Sequence, residues 1–210
     1  MLLWEVYMKP PPEKSQYACI RVRLNRWHAP PLIRSIARTW PGASRADLDD
    51  RLWAGGACGG AGFSLAMACD MIIATDDAVF TLAYSVLGTS PDGSSTYTLP
   101  RLIGYHRAME LVLLSDRFGS DRAKELGLIN FIVPKAELKA ETEKLSKRVA
   151  SGPTLAYGRA KALISKSLER GIGDQLDAEA QNIMECSRTA DFAEGVNAFL
   201  DKRKPVFTGR

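Results

Sequence analysis

The sequence predicts an α/β fold, and three observations predict it. A glycine-rich turn leads into a helix-compatible run of small residues within Gly55–Asp70. Three short apolar runs, typical of buried strands, follow at Met71–Ala74, Val79–Leu82 and Leu128–Val133, with helical patterns between them. The last third of the chain has helical periodicity throughout. Strands and helices therefore alternate in the centre of the chain, and helices alone follow.

Composition narrows the class of protein. Of 210 residues, 46% are hydrophobic and 25% charged, which is ordinary for a soluble globular protein. The net charge of +4 is spread along the chain, so it gives no case for nucleic acid but suits an anionic ligand. The four cysteines and two histidines lack metal-ligand spacing, so no metal is expected. No apolar run reaches membrane-spanning length, and we expect a reducing cytoplasm.

Residues 1–54 form an atypical first segment. The four tryptophans of the chain all lie here, together with a run of three prolines beginning at Pro10. Strand-like alternation is limited to Cys19–Leu24, and the charges just before Gly55 do not suit a strand that is buried on both faces. The sequence leaves open whether this segment folds.

The core region, residues 55–134, contains the predicted strands and several short helices. A helix is expected directly after the glycine turn, because small residues from Phe63 to Ala68 favour it. Ser120 is predicted to cap a short helix that Gly127 ends. The remaining predicted elements are a helical turn over Ala83–Leu87 and helices over Ser94–Ile103 and Tyr105–Leu114.

The C-terminal region, residues 135–210, is predicted to contain four helices. The last helix is expected to begin at Asp191 as its cap, because Glu194 follows at the capping-box spacing. Lys202 and Lys204 are expected in its last turn, where the helix dipole favours cations. These two lysines are interpreted either as solvated charges or as contacts for an anionic ligand.

The glycine turn is the strongest candidate for a functional site. Five glycines lie between Gly55 and Gly62, and the N–H groups at the start of the following helix have no partner within it. The amides near Gly60, Ala61 and Gly62 therefore suit an oxyanion. Close packing of the helix on a sheet is the alternative interpretation, because it also needs small residues. A phosphate loop is excluded, since no lysine follows the glycines.

Long stretches of the chain resemble the crotonase (enoyl-CoA hydratase/isomerase) superfamily. The resemblance runs through ACGGAGFSLAMACDMIIATDDAVF, LGTSPDGSSTYTLPRLIG, ELGLINFIVP, GPTLAYGRAKALI and DFAEGVNAFLDKRKPVF, about three quarters of the chain. Within this superfamily, the sequence is most similar to the ring-epoxide and double-bond isomerases of phenylacetate-type pathways. The resemblance implies a crotonase-like fold of short strands and helices, with C-terminal helices that form trimer contacts.

The resemblance also implies roles for particular residues. Ala61 would supply an oxyanion N–H, and Asp92 matches the carboxylate with which isomerases of the superfamily move a proton along the acyl chain. Ser64 and Tyr84 match the positions of the two hydratase glutamates. A carboxylate in an apolar pocket is a usable acid and base, although Pro-Asp-Gly is also an ordinary turn. The expected substrate-binding residues are Ala57, Gly60, Gly62, Ser64 and Tyr84.

The first segment departs from the family pattern. The motif that carries a first oxyanion donor, of the form A-F-S-A-G-x-D, is not found in residues 1–54. We expect this segment to be a truncated, frame-shifted or mis-started version of the first third of the family. The resemblance therefore leaves a second oxyanion donor unidentified.

Three functions follow as expectations. The first is an enoyl-CoA or ring-epoxide acyl-CoA isomerase that acts through a thioester enolate, in fatty-acid or phenylacetate metabolism. The second is a catalytically impaired, truncated homologue, and the third is a hydratase without the usual two glutamates. The expected partners are an acyl-CoA substrate and further copies of the chain, in a trimer or a dimer of trimers. No separate cofactor is expected, because coenzyme A is part of the substrate.

Overall fold

The computed structural model describes the backbone of residues 17–20 and all of residues 58–210. These residues belong to two compact units, one containing residues 17–20 and 58–144 and the other residues 145–210. The first unit is mixed in strand and helix, and the second is helical.

The first unit has short strands and helices in the predicted order, with two further short strands, Cys58–Gly59 and Phe118–Gly119, that the sequence did not predict. Its strands are β1 (Tyr17–Ile20), β2 (Cys58–Gly59), β3 (Met71–Thr75), β4 (Val79–Thr81), β5 (Phe118–Gly119) and β6 (Phe131–Val133). Its helices are α1 (Ala61–Met67), α2 (Ser95–Ile103), α3 (Tyr105–Leu114), α4 (Ser120–Glu125) and α5 (Leu138–Ala150), which ends past residue 144. Two 3-10 turns, Ser85–Leu87 and Lys135–Glu137, complete it.

The strands form two small sheets among the described residues. In one sheet β3 lies in the centre, antiparallel to β1 and parallel to β6. In the other sheet β4 lies in the centre, parallel to β2 and antiparallel to β5. The predicted strand at Cys19–Leu24 is therefore present as β1, but it begins at Tyr17, and residues 21–24 lie outside the described residues.

An aromatic cluster fixes α1 on the second sheet. Phe63 of α1 meets Phe80 of β4 edge to face, with ring centroids 6.4 Å apart. It meets Phe118 of β5 in the same way at 6.2 Å. Phe63 and Phe80 are both fully buried. Edge-to-face contacts of this kind add about 0.5–1.5 kcal/mol beyond burial. The first turn of α1 is thus held at a fixed place beside β4.

Two predictions in this unit are wrong in detail. Ser120 does not cap α4: its hydroxyl donates to the carbonyl oxygen of Thr75 in β3, and Gly119 occupies the cap position. The strand expected at Leu128–Val133 begins only at Phe131. Asn130 precedes it, and the Asn130 carboxamide accepts a hydrogen bond of 2.7 Å from the Ile72 N–H. The Asn130 N–H also donates to the Ile72 carbonyl at 2.9 Å, so Asn130 pairs with β3 through one backbone and one side-chain hydrogen bond.

The second unit is built from three further helices and a tail. These are α6 (Thr154–Ser167), α7 (Ile172–Cys186) and α8 (Ala190–Leu200), with the tail at residues 201–210. Helices α6 and α7 pack against each other, and Arg159 of α6 forms a salt bridge with Glu185 of α7. Two of the predicted apolar positions on α7 are exposed, Leu176 by 56% and Ile183 by 65%.

The tail folds back on the start of α8, and this corrects the predicted cap. The cap is Thr189, whose hydroxyl accepts the Phe192 N–H at 3.1 Å. Asp191 is buried instead, and its carboxylate accepts the N–H groups of Thr208 at 2.6 Å and Gly209 at 2.9 Å. Helix α8 ends at Leu200, so Lys202 and Lys204 follow it rather than form its last turn.

We predict that acid weakens the attachment of the tail at Glu194. Hydrogen bonds from the Arg203 guanidinium and the Val206 N–H lower the pKa of Glu194 from 4.5 to about 2. Because the pKa of Glu194 is lower in the folded state, the ionised carboxylate stabilises the attachment above pH 4.5. That stabilisation is lost as the pH falls toward about 2. The amide NMR signal of Val206 should shift with a midpoint near 2.

Glu194→Gln is the matched control for this titration, because it keeps the shape of the side chain without the charge. The Val206 signal of that variant should show no such transition. A wild-type midpoint near 4.5, the ordinary pKa of a glutamate side chain, would contradict the hydrogen bonds that attach the tail to Glu194.

Within residues 17–20 and 58–210, no helix has the length and apolarity needed to cross a membrane.

Candidate active site

The first turn of α1 presents an unpaired backbone amide next to the end of β4. Gly60 precedes the helix with φ +53° and ψ −127°, a conformation that glycine adopts without strain. The Gly60 N–H donates to the Thr81 carbonyl at 3.2 Å, and the Gly60 carbonyl accepts the Ser64 N–H at 3.1 Å. The Ala61 N–H has no hydrogen-bond partner among the described residues. Of the two amides, the Ala61 N–H is therefore the one that can bind a ligand oxygen.

The turn that carries Asp92 lies directly against this helix. Gly93 has φ +59°, and a Cβ atom at Gly93 would lie 2.8 Å from the Ser64 Cβ. It would also lie 4.0 Å from the Ala61 carbonyl oxygen. Only glycine allows so close an approach with this backbone. The structure thus brings the predicted carboxylate and the predicted oxyanion turn together.

The backbone of Asp92 is held by the next helix. The Asp92 carbonyl accepts the Ser95 N–H at 3.3 Å and the Ser95 hydroxyl at 3.0 Å. Ser95 is fully buried at the start of α2, which packs against α1. The sequence predicts an apolar surrounding for the Asp92 carboxylate. Among the described residues this is wrong, because Asp92 is exposed and its carboxylate contacts the Tyr84 hydroxyl.

A chain of hydroxyl groups joins the carboxylate to the helix. The Tyr84 hydroxyl donates to Asp92 Oδ1 at 2.5 Å, and it lies 3.3 Å from Ser64 Oγ. Ser64 Oγ in turn lies 3.4 Å from the Gly60 carbonyl oxygen. Ser64 is fully buried and Tyr84 is 7% exposed. The chain is therefore largely shielded from water up to the Asp92 carboxylate.

The Tyr84 phenol stays protonated in this position. Burial raises its pKa above 10.0, and the hydrogen bond to Asp92 raises it further. The Ser64 hydroxyl opposes these effects, since it stabilises the phenolate. Tyr84 therefore acts as a hydrogen-bond donor to the carboxylate at neutral pH.

Two residues with a left-handed backbone flank this chain. Ala83, just before Tyr84, has φ +59°, and Ser94, two residues after Asp92, has φ +76°. Neither is glycine, so each costs about 1–2 kcal/mol of local strain. Strain of this kind is held in place by the surrounding structure and is common at functional sites.

The structure gathers most of the predicted site residues in one place. Asp92, Tyr84, Ser64 and the Gly60 carbonyl are linked by the contacts above, and Ala61 and Gly62 follow Gly60 in the first turn of α1. Ala57 lies outside the described residues. Sequence reasoning missed the roles of Gly93 and Ser95, although the glycine after Asp92 was a signal for a close approach. Among residues 58–210, no group of His, Cys, Asp and Glu side chains is arranged to hold a metal ion.

Solved structures share this fold. The chain is similar to an enoyl-CoA hydratase from Bacillus anthracis with a TM-score of 0.70 and 35% identity, covering 74% of this chain and 60% of that one. A crotonase-like fold, in which short strands position a glycine turn and a helix, is therefore confirmed.

Curated relatives are similar to the chain in sequence. A 1,2-epoxyphenylacetyl-CoA isomerase of Escherichia coli is 39% identical over 155 residues, which are 74% of this chain and 59% of the relative. A crotonyl-CoA hydratase of Syntrophomonas wolfei is 36% identical over 151 residues, which are 72% of this chain and 58% of the relative. The chain thus spans about three fifths of the length of these relatives.

The family itself is identified by a match over most of the chain. The sequence model described as enoyl-CoA hydratase/isomerase matches residues 54–210. The chain therefore belongs to the enoyl-CoA hydratase/isomerase family. This confirms the family that the sequence motifs predicted, and it leaves the choice between isomerase and hydratase to the chemistry of the site.

Proposed function

We propose that this protein is an acyl-CoA isomerase that acts through a thioester enolate. One observation carries the proposal: a carboxylate on a turn packed against the oxyanion helix, with hydroxyl groups where a hydratase of this family would have two glutamates. Asp92 is the one ionisable carboxylate in the Gly60, Ala61, Ser64, Tyr84 and Asp92 cluster. Its geometry supports proton transfer rather than the holding of water by two carboxylates.

The proposed reaction moves a double bond by one carbon. In a 3-enoyl-CoA, Asp92 takes a proton from carbon 2, so that this C–H bond breaks and an O–H bond forms on the carboxylate. The electron pair is delocalised onto the thioester oxygen, giving a dienolate. The proton then returns to carbon 4, and the double bond ends between carbons 2 and 3. Atoms and charge balance without any cofactor other than the coenzyme A that the substrate carries.

The Ala61 N–H would stabilise the negative thioester oxygen. A donor of this kind typically contributes a factor of about 10²–10³ in rate. Binding at the start of α1 adds the favourable field of the helix dipole. Two observations support this role: the Gly60 N–H already donates to Thr81, and the Ala61 N–H has no partner among the described residues.

The relatives support a substrate of the acyl-CoA class. The similar proteins are named for acyl-CoA reactions, an epoxide isomerase in one case and a hydratase in the other. A ring-epoxide acyl-CoA is thus a second substrate to test, alongside linear 3-enoyl-CoA. The cytoplasmic location and the phenylacetate pathway stay predictions.

Self-association into a trimer is part of the same proposal. The last three helices expose large apolar side chains, which supports burial against another copy of the chain. The most exposed of them are Ile164 (72%), Ile172 (77%), Phe199 (82%) and Leu200 (69%). Sedimentation velocity should give the mass of three chains or six, and a monomer would contradict this part of the proposal.

A turnover and binding assay tests the function. The purified chain should convert a 3-enoyl-CoA into its conjugated 2-enoyl isomer, detected by the absorbance of the conjugated thioester, and it should bind acetoacetyl-CoA. Release of a 3-hydroxyacyl-CoA from a 2-enoyl-CoA would indicate a hydratase instead. Binding of acetoacetyl-CoA without any turnover would indicate a catalytically impaired homologue, and absence of binding would exclude the proposed substrate class.

A further inference from the structure

We infer that Tyr84, oriented by Ser64, is a positioning residue that fixes the Asp92 carboxylate with one oxygen bound and the other free to receive the substrate proton. The inference rests on the proposed function, because it assigns the atoms of Asp92 that take part in that reaction. It starts from the asymmetry of the carboxylate. The Tyr84 hydroxyl binds Oδ1 at 2.5 Å, whereas Oδ2 has no hydrogen-bond partner among the described residues.

Proton counting fixes the direction of the hydroxyl chain. An ionised carboxylate and a backbone carbonyl only accept hydrogen bonds, and each hydroxyl has one proton to donate. The single proton of Tyr84 is committed to Asp92 in the short contact. In the 3.3 Å contact between Ser64 and Tyr84 only Ser64 can therefore donate, and its single proton is shared between the Tyr84 oxygen and the Gly60 carbonyl at 3.4 Å.

Burial makes this arrangement rigid. Ser64 is fully buried and Tyr84 nearly so, which limits the water that could replace either hydroxyl partner. The backbone of Asp92 is fixed independently by the two hydrogen bonds from Ser95. With the backbone and Oδ1 both held, the exposed side chain keeps a single orientation despite its solvent contact. Oδ2 is then the atom that forms the O–H bond when the substrate C–H bond breaks.

This role differs from simple lining of the acyl pocket. A pocket-lining residue contacts the substrate and changes KM, whereas a positioning residue acts through the base and changes kcat. Misplacement of a catalytic group by about 1 Å can cost up to about a hundredfold in rate. Tyr84→Phe removes only the hydroxyl, so it should lower kcat about tenfold to a hundredfold and leave KM within about twofold.

A double-mutant cycle on isomerisation tests the inference. The variants are Tyr84→Phe, Asp92→Asn and the two combined, each assayed for kcat and KM with a 3-enoyl-CoA. If Tyr84 acts through Asp92, Tyr84→Phe should add less than about a twofold loss in the Asp92→Asn background. Ser64→Ala should show the same pattern with a smaller loss, and it provides a second test if Tyr84→Phe fails to fold.

Tyr105→Phe is the matched control for loss of a phenol hydroxyl. Tyr105 lies in α3, is 67% exposed and takes no part in the chain of hydroxyl groups, so its variant should have wild-type kcat and KM. An equal loss from Tyr84→Phe in the wild-type and Asp92→Asn backgrounds would overturn the inference, and so would a change confined to KM. If wild type turns over no acyl-CoA, or Asp92→Asn keeps full activity, the proposed function fails and the inference fails with it.

Discussion

Replacement of Asp92 by asparagine is expected to lower isomerisation of a 3-enoyl-CoA by about 10²–10⁴-fold, because the carboxylate that carries the proton is lost. The amide keeps the size of the side chain, and it still offers an oxygen to the Tyr84 hydroxyl, which donates to Oδ1 at 2.5 Å in wild type. The loss should appear in kcat, measured by the absorbance of the conjugated thioester. Affinity for acetoacetyl-CoA should change little.

Asp76→Asn is the matched control for this substitution. Asp76 is also an exposed aspartate in a turn of the first unit, but it follows β3 and lies outside the hydroxyl chain. Its variant should retain wild-type kcat. Undiminished isomerisation by the Asp92→Asn variant would contradict the role of Asp92 as the group that carries the proton.

Replacement of Gly93 by alanine is expected to have the largest effect on stability. The new Cβ would lie 2.8 Å from the Ser64 Cβ, and the backbone at φ +59° is unfavourable for any L-residue with a side chain. The left-handed backbone costs about 1–2 kcal/mol and the overlap adds about 1–3 kcal/mol. Denaturant unfolding should therefore show a loss of about 2–5 kcal/mol, together with loss of activity as Asp92 is displaced.

Gly104→Ala separates the two causes. Gly104 has φ +80°, but a Cβ there would meet no atom within 4 Å. Its variant should lose only the backbone contribution of about 1–2 kcal/mol and keep its activity. Equal losses at Gly93 and Gly104 would show that the contact between the Asp92 turn and the helix is not as close as the structure indicates.

The regular elements could be predicted from the sequence because apolar periodicity and glycine reflect local physical requirements. The bounds of α3 at Tyr105–Leu114 and the start of β3 at Met71 agree with the prediction. The caps were predicted less well. Ser120 and Asp191 have the residue types of caps, yet their side chains bind Thr75 and the tail, which are distant in sequence. Local patterns cannot show such partners.

The candidate site was predictable as a set of positions but not as a network. The glycine turn indicated free amides, and family motifs indicated Asp92. The hydrogen bond from Tyr84 to Asp92 depends on how the residues that follow β4 and the turn before α2 come together, which no local pattern encodes. The exposure of Asp92 was missed for the same reason, because burial is set by packing between distant elements.

Exchange of the carbon 2 protons of a bound acyl-CoA with deuterated water tests the central claim most directly, since it reports enolate formation whatever the natural acyl group. Mass spectrometry of a saturated acyl-CoA incubated with the protein should show deuterium at carbon 2, with at least about a hundredfold slower uptake for Asp92→Asn. A thioester that binds the protein but takes up no deuterium, or takes it up equally with Asp92→Asn, would contradict the account.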